Sequence, residues 1–83
     1  MKKYLVDVYI PPISRHFDVY LPAGKKIGEA TALLIGIIES LSGGAYKGTE
    51  DSVLLSANGG VPLNRNDTVH DAGVRNSSRL VLI

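Results

Sequence analysis

The stretch Leu63–Ile83, LNRNDTVHDAGVRNSSRLVLI, decides how the rest of the chain has to be arranged. Asp67 and Thr68 stand before a short run that ends at Gly73, the pattern of a single capped helical turn. Arg75, Asn76, Ser77 and Ser78 follow as a polar turn, and Arg79–Ile83 then reads as a strand reaching the last residue. A run as apolar as Leu80–Ile83 is more at home inserted between strands already in place than on the outside of a small sheet. The final strand is therefore predicted to close the sheet and to belong to the core.

Working outward, the 83 residues suffice for one domain near the lower limit of a self-sufficient core. A hydrophobic content of 45% can fill such a core if its positions are used economically. There is no cysteine, which removes disulfides and thiolate metal sites and makes a cytoplasmic location the expectation. Nine Lys/Arg against eight Asp/Glu leave a formal charge of +1, too little field for nucleic acid or an anionic membrane surface. The opening MKKYLVDVYIPP resembles a leader only briefly. Asp7 interrupts its apolar run and Pro11 ends it, so it reads as a strand rather than as an export signal or a membrane span.

Tyr4, Val6, Val8 and Ile10 alternate with Leu5, Asp7 and Tyr9, the period-2 signature of a half-buried strand. Pro11-Pro12 ends it, and the alternation resumes over Arg15–Leu21 with Phe17, Val19 and Leu21 on one face, which makes an antiparallel hairpin. After Pro22-Ala23-Gly24 a helix is predicted from about Lys26 to Leu41. At 100° per residue, Ile27, Ala30, Leu34, Ile37, Ile38 and Leu41 form its core-facing stripe. Leu33 and Ile35 lie at the margins of that stripe, and Gly28, Glu29, Ala32, Gly36, Glu39 and Ser40 lie opposite. Ser42–Asp51 is a glycine-rich polar connection, expected to be the most mobile part of the domain. Ser52–Ala57 is a strand, Asn58-Gly59-Gly60 a tight turn, and Val61–Leu63 a short edge strand limited by Pro62. The expected fold is α+β in two layers, a mixed sheet of four to five strands packed on one helix, in a single domain spanning residues 1–83.

Catalytic chemistry finds little footing. His16 lies on the outer face of its strand beside Asp18, and a site formed from that pair at a dimer interface is one candidate. His70 lies in the helical turn between Asp67 and Asp71, which read as capping and dipole-complementing residues. No metal or cofactor pattern is present, and the two glycine pairs join elements in the wrong order for a phosphate loop. The chain is read as non-enzymatic and without a cofactor, and binding surface is what remains. Gly28, Ala32 and Gly36, spaced by four along the outward side of the helix, would let another backbone approach closely. If Leu54, Leu80 and Leu82 face the core, Leu55, Val81 and Ile83 form an outward apolar patch on adjacent strands; the opposite phase would expose leucines instead.

Taken together, the element order and the terminal motif resemble the ubiquitin-like β-grasp fold along the whole chain. Leu63, Asp67-Thr68-Val69, Asp71-Ala72-Gly73-Val74, Asn76 and Leu80-Val81-Leu82 resemble the YukD-like family of small bacterial ubiquitin-like proteins. Ser77 departs from that pattern, standing where the resemblance leads one to expect glycine. The resemblance implies a cytosolic accessory component of a type VII (Esx/WXG-type) secretion system in a Gram-positive-like bacterium. Its partner would be a protein, a membrane-anchored component of the secretion machine, with no nucleic acid and no insertion into the bilayer; homo-oligomers stay open. The patch at Leu55, Val81 and Ile83 falls roughly where ubiquitin carries its main recognition surface. Ubiquitin and the sulfur carriers act through a C-terminal Gly-Gly, which is missing before Ile83, so conjugation is not expected. A modifier acting through its C-terminus is the alternative.

Overall fold

The computed structural model describes residues 2–83. The first alternating run forms β1 (Lys3–Ile10), with Tyr4, Val6, Val8 and Ile10 buried. The chain reverses through a 3-10 turn at Pro11–Ile13, where Ser14 donates its N–H to the Pro11 carbonyl. β2 (Arg15–Pro22) pairs antiparallel with all of β1, from Lys3 opposite Pro22 to Ile10 opposite Arg15. Phe17, Val19 and Leu21 fall on the core side, as the period of two requires.

Helix α1 (Ile27–Leu41) starts without a side-chain cap, because Lys26 has no acceptor to offer. A loop substitutes for it: the N–H of Ile27 donates to the Asp67 carbonyl at 2.8 Å and that of Gly28 to the Arg65 carbonyl at 3.1 Å, satisfying donors that every helix start leaves open. Ile27, Ala30, Leu34 and Ile38 are buried as the stripe predicts. Thr31 joins them by donating its hydroxyl to the Ile27 carbonyl at 2.7 Å. Leu41, placed in the core by the stripe, is instead 56% exposed, and Ile37 is only half-buried. The cause is lateral cover. Arg65 lies against Gly28, Gly48 lies against Ile35, and Glu39 accepts the Gly48 N–H, whereas Leu33, Ile37 and Leu41 line an open groove on the other flank.

Ser42–Asp51 is irregular, but its second half is tied down. Tyr46 is buried, its hydroxyl lies 3.2 Å from the Ser52 hydroxyl, and Thr49 donates its N–H to that same oxygen at 2.9 Å. A Cβ on Gly48 would overlap the Ile35 side chain, so the backbone approaches the helix there as only glycine allows. β3 (Leu54–Ser56) is shorter than the expected Ser52–Ala57. The return through Val61–Leu63 is no strand: it makes one bridge, Leu55 to Pro62, flanked by bonds from the Ser56 N–H to the Val61 carbonyl and from the Leu63 N–H to the Leu54 carbonyl, and proline closes its outer edge to further pairing.

β4 (Arg79–Leu82) lies between β1 and β3, parallel to the first and antiparallel to the second. The sheet therefore has four strands in the order β2-β1-β4-β3, not five, with one helix packed on it. Leu54, Leu80 and Leu82 are buried, which selects the first of the two phases. Before β4, residues 68–73 make one loose turn and not a regular helix. Thr68 alone caps it, accepting the Asp71 N–H at 3.0 Å, and Asp67 contributes only its carbonyl, to Ile27. Ser77 has φ 70°, so the position where the family resemblance calls for glycine is one that strains any other residue.

Two stability predictions follow from these turns. Ser77→Gly is expected to raise stability by about 0.5–1 kcal/mol, since the positive φ costs an L-residue more than glycine's extra unfolded-state freedom. Thr68→Ala should lose about 1 kcal/mol while Asp67→Ala loses almost nothing. Urea midpoints of the three variants check both statements.

Candidate protein-docking site

The outward sheet face is built by register. Leu55 lies directly opposite Val81 across β3–β4, and Tyr9 lies opposite Val81 on the other side. Val53 and Ile83 exchange both backbone hydrogen bonds, at 3.2 and 3.1 Å, so they form the next row. The three residues named from sequence thus lie on neighbouring strands of one face, with Leu55 and Val81 half-buried and Ile83 47% exposed. Val53, in phase with Leu55, and Tyr9, on the outward side of β1, extend the patch. The period of two puts Val53 on the face of Leu55, whereas Tyr9 joins through the β1–β4 register.

A row further along, Asp7 sits opposite Asp18 across β1–β2 and opposite Arg79 across β1–β4. The partner of His16 is Asp7 and not Asp18: its Nδ1 lies 3.0 Å from an Asp7 carboxylate oxygen, and its ring packs on Tyr9 at 4.5 Å between centroids. Since a carboxylate only accepts, Nδ1 is the donor. This pair is open to solvent and has no further convergent group.

His70 is held differently. Its Nδ1 is 2.6 Å from the Tyr4 hydroxyl, and its Nε2 is 3.3 Å from a nitrogen of Arg75, whose guanidinium also donates to the carbonyls of His70 and Val74. Arginine offers only donors, so Nε2 accepts and the proton sits on Nδ1. The cluster pins the turn at residues 68–73 onto β1. Among the described residues no group of three or more His, Cys, Asp or Glu side chains converges as a metal ion would need.

The small-residue line on the helix does not survive as one surface. Gly28 is half-buried, and a Cβ there would lie 3.2 Å from the Arg65 guanidinium. Ala32 and Gly36 are exposed and share a shallow groove with Leu33, Ile37, Ser40 and Leu41. A Cβ on Gly36 meets nothing within 4 Å. The helix face is therefore an apolar flank rather than a glycine seam.

The order β2-β1-β4-β3, with the last strand inside the sheet and one helix across it, is shared with known structures. The ubiquitin-like domain of EccD5 from Mycobacterium xenopi superposes with a TM-score of 0.83 at 18% identity, over 100% of this chain and 94% of that one. The fold is the ubiquitin-like β-grasp. A chain of the MycP5-free ESX-5 inner membrane complex in State II gives a TM-score of 0.82 at 18% identity, over 100% of this chain and 21% of that one. The ubiquitin-like domain of the type VII secretion system protein EccD1 of Mycobacterium tuberculosis gives 0.66 at 23% identity, over 100% of this chain and 99% of that one. At these identities the likeness is one of fold. Neither a protein-family profile nor a curated protein sequence matches the chain. Within the β-grasp frame, the apolar rows of β3 and β4 and the flank of α1 are separate surfaces on opposite sides of the sheet.

The patch is expected to be dispensable for folding. The double change Val81→Ser and Ile83→Ser should leave a cooperative thermal transition, whereas Leu82→Ala, fully buried, should lose about 2–5 kcal/mol. Loss of folding in the double variant would place Val81 and Ile83 in the core.

Proposed function

We propose that the chain is a non-catalytic, ubiquitin-like docking module of a type VII secretion machine, acting in the cytoplasm as the YukD-like proteins it resembles are expected to act. Its partner is a membrane component of that machine, held without covalent conjugation by the outward face of β3 and β4. The observation that carries this is the pairing of Leu55 with Val81 and of Val53 with Ile83, which gathers four aliphatic side chains on a face the helix does not cover. Contiguous apolar surface of that kind marks a site for another protein. Two of the superposed domains are named as parts of EccD proteins, one of them as a type VII secretion system protein, and a third chain belongs to the ESX-5 inner membrane complex, which supports the choice of machine. No described helix is long and apolar enough to cross a membrane.

Binding to the detergent-solubilised secretion complex of the native host is the test. The wild-type chain should bind saturably, and Val81→Ser with Ile83→Ser should weaken binding at least about tenfold, as loss of a central apolar anchor does. No binding to the complex would overturn the proposal. Incubation with a ubiquitin-activating enzyme and ATP, read by intact mass, should give no adenylate or conjugate; either product would favour the modifier reading.

A further inference from the structure

The two edges of the sheet are protected very differently. β3 is three residues long, and the Leu55–Pro62 bridge lays the following loop against it. β2 is eight residues long, runs without a bulge, carries Arg15, His16 and Asp18 but no lysine, and has its one proline at the end. Because the N–H of Ala23 donates to the Lys2 carbonyl, the antiparallel alternation directs residues 15, 17, 19 and 21 to β1 and sends the N–H and C=O of His16, Asp18 and Tyr20 outward. None of these three residues has a backbone partner among the described residues outside its own hairpin. Natural sheets blunt such an edge with charge, proline, bulges or shortness, or they pair it.

The same side of the molecule has an uncovered helix. Loops at Gly48 and Arg65, both belonging to the β3 side, cover the flank of α1 at Gly28, Ile35 and Glu39. Leu33, Ile37 and Leu41 are on the flank opposite, away from those two loops, and β2 is the strand the helix contacts most. Among the described residues, Leu33 at 42% and Leu41 at 56% are exposed on this flank, and Tyr20 of β2 is 60% exposed on the outward face of the sheet. An open strand edge and an open apolar flank thus form one two-layer surface.

We propose that this surface binds a second copy of the chain, β2 against β2 and antiparallel about a two-fold axis normal to the sheet, with the two uncovered helix flanks facing each other on one side. The strand is complementary to itself in the register centred on Phe17. With His16 opposite Asp18 of the second copy, the relation repeats in reverse across the axis. Phe17 then faces its own counterpart as a non-hydrogen-bonded pair, the closer kind. Shifting by one step would set Asp18 against Asp18, and like charges directly opposite are unfavourable. A two-fold axis makes every such contact count twice. This surface is distinct from the β3–β4 patch, so it does not depend on the proposed secretion role.

Sedimentation velocity on the full chain, at concentrations up to about 1 mM, the range of weak affinities, is the experiment. The wild type should show a concentration-dependent dimer, and a monomer throughout would overturn the proposal. Asp18→Pro removes an outward N–H without touching the ladder to β1, and Leu33→Glu charges the helix flank. Each should be monomeric with an unchanged circular dichroism spectrum, and a dimer persisting in both would overturn it. Asp18→Asn should weaken the dimer by up to about tenfold by removing two cross-strand pairs. A tighter dimer would mean the Asp18–Asp18 register and overturn the one proposed. Val81→Ser with Ile83→Ser should still dimerise as the wild type does; loss of the dimer there would move the interface to the other surface and overturn this one.

Discussion

The parallel pairing of β4 with β1 joins the two ends of the chain, with Asp7, Val8 and Tyr9 opposite Arg79, Leu80 and Val81, and the placement of everything between them depends on it. Closing so long a loop has an entropic cost, and the turn before β4 is fitted to β1 in a way that offsets part of it. The Asn76 side-chain oxygen accepts the Leu5 N–H at 2.9 Å, the Ser77 N–H donates to the Leu5 carbonyl at 2.8 Å, and the Asp7 N–H donates to the Ser78 carbonyl at 3.0 Å. These three bonds set the register. A slip of one residue would turn Leu80 and Leu82 out of the core and put Val81 in. The left-handed geometry of Ser77 is the local strain accepted for that fit.

What could be read from the residues alone follows the range of the forces involved. β1, β2 and the helix are each specified by periodicity within a few neighbours, and the inserted last strand by an unbroken apolar run. The phase of β3 and β4 was open, because the apolar runs at Val53–Leu55 and Leu80–Ile83 have no alternation to break the tie. The structure resolves it through the register with β1, which is non-local. Leu41 was misplaced for a related reason. The angular stripe of a helix says which residues can face a sheet, but whether a flank is covered depends on where loops from distant parts of the chain pass. Tyr46 shows the same effect in reverse: a polar, glycine-rich segment carries a buried ring because Ser52 and Glu39 supply partners for its backbone and hydroxyl.

The candidate site was legible to the same degree. Leu55, Val81 and Ile83 come together as the alternation predicts once the phase is known, with Val53 in the same phase, while Tyr9 joins them only through cross-strand pairing. Gly28, Ala32 and Gly36 share a helix face by spacing, yet the Arg65 side chain lies over the first of them and leaves the other two in an apolar flank with Leu33 and Leu41. The helix glycines therefore have different roles. Gly28 accommodates a neighbouring loop, and Gly36 sits on an open surface.

The position of β4 also bears on how the two surfaces relate. A two-fold axis normal to the sheet would produce the strand order β3-β4-β1-β2-β2-β1-β4-β3, with both helices on one side and both outward patches on the other. Five strand spacings separate the two β4 strands, about 24 Å at the usual spacing. The patches of such a dimer would point the same way at a fixed separation, a bivalent platform rather than two independent binders. A partner that itself repeats at that spacing would gain avidity without any new contact, and one presenting a single site would gain nothing. Placing the last strand inside the sheet makes this geometry available, because it moves the apolar outward rows to the β3 side and leaves the long β2 edge free to pair.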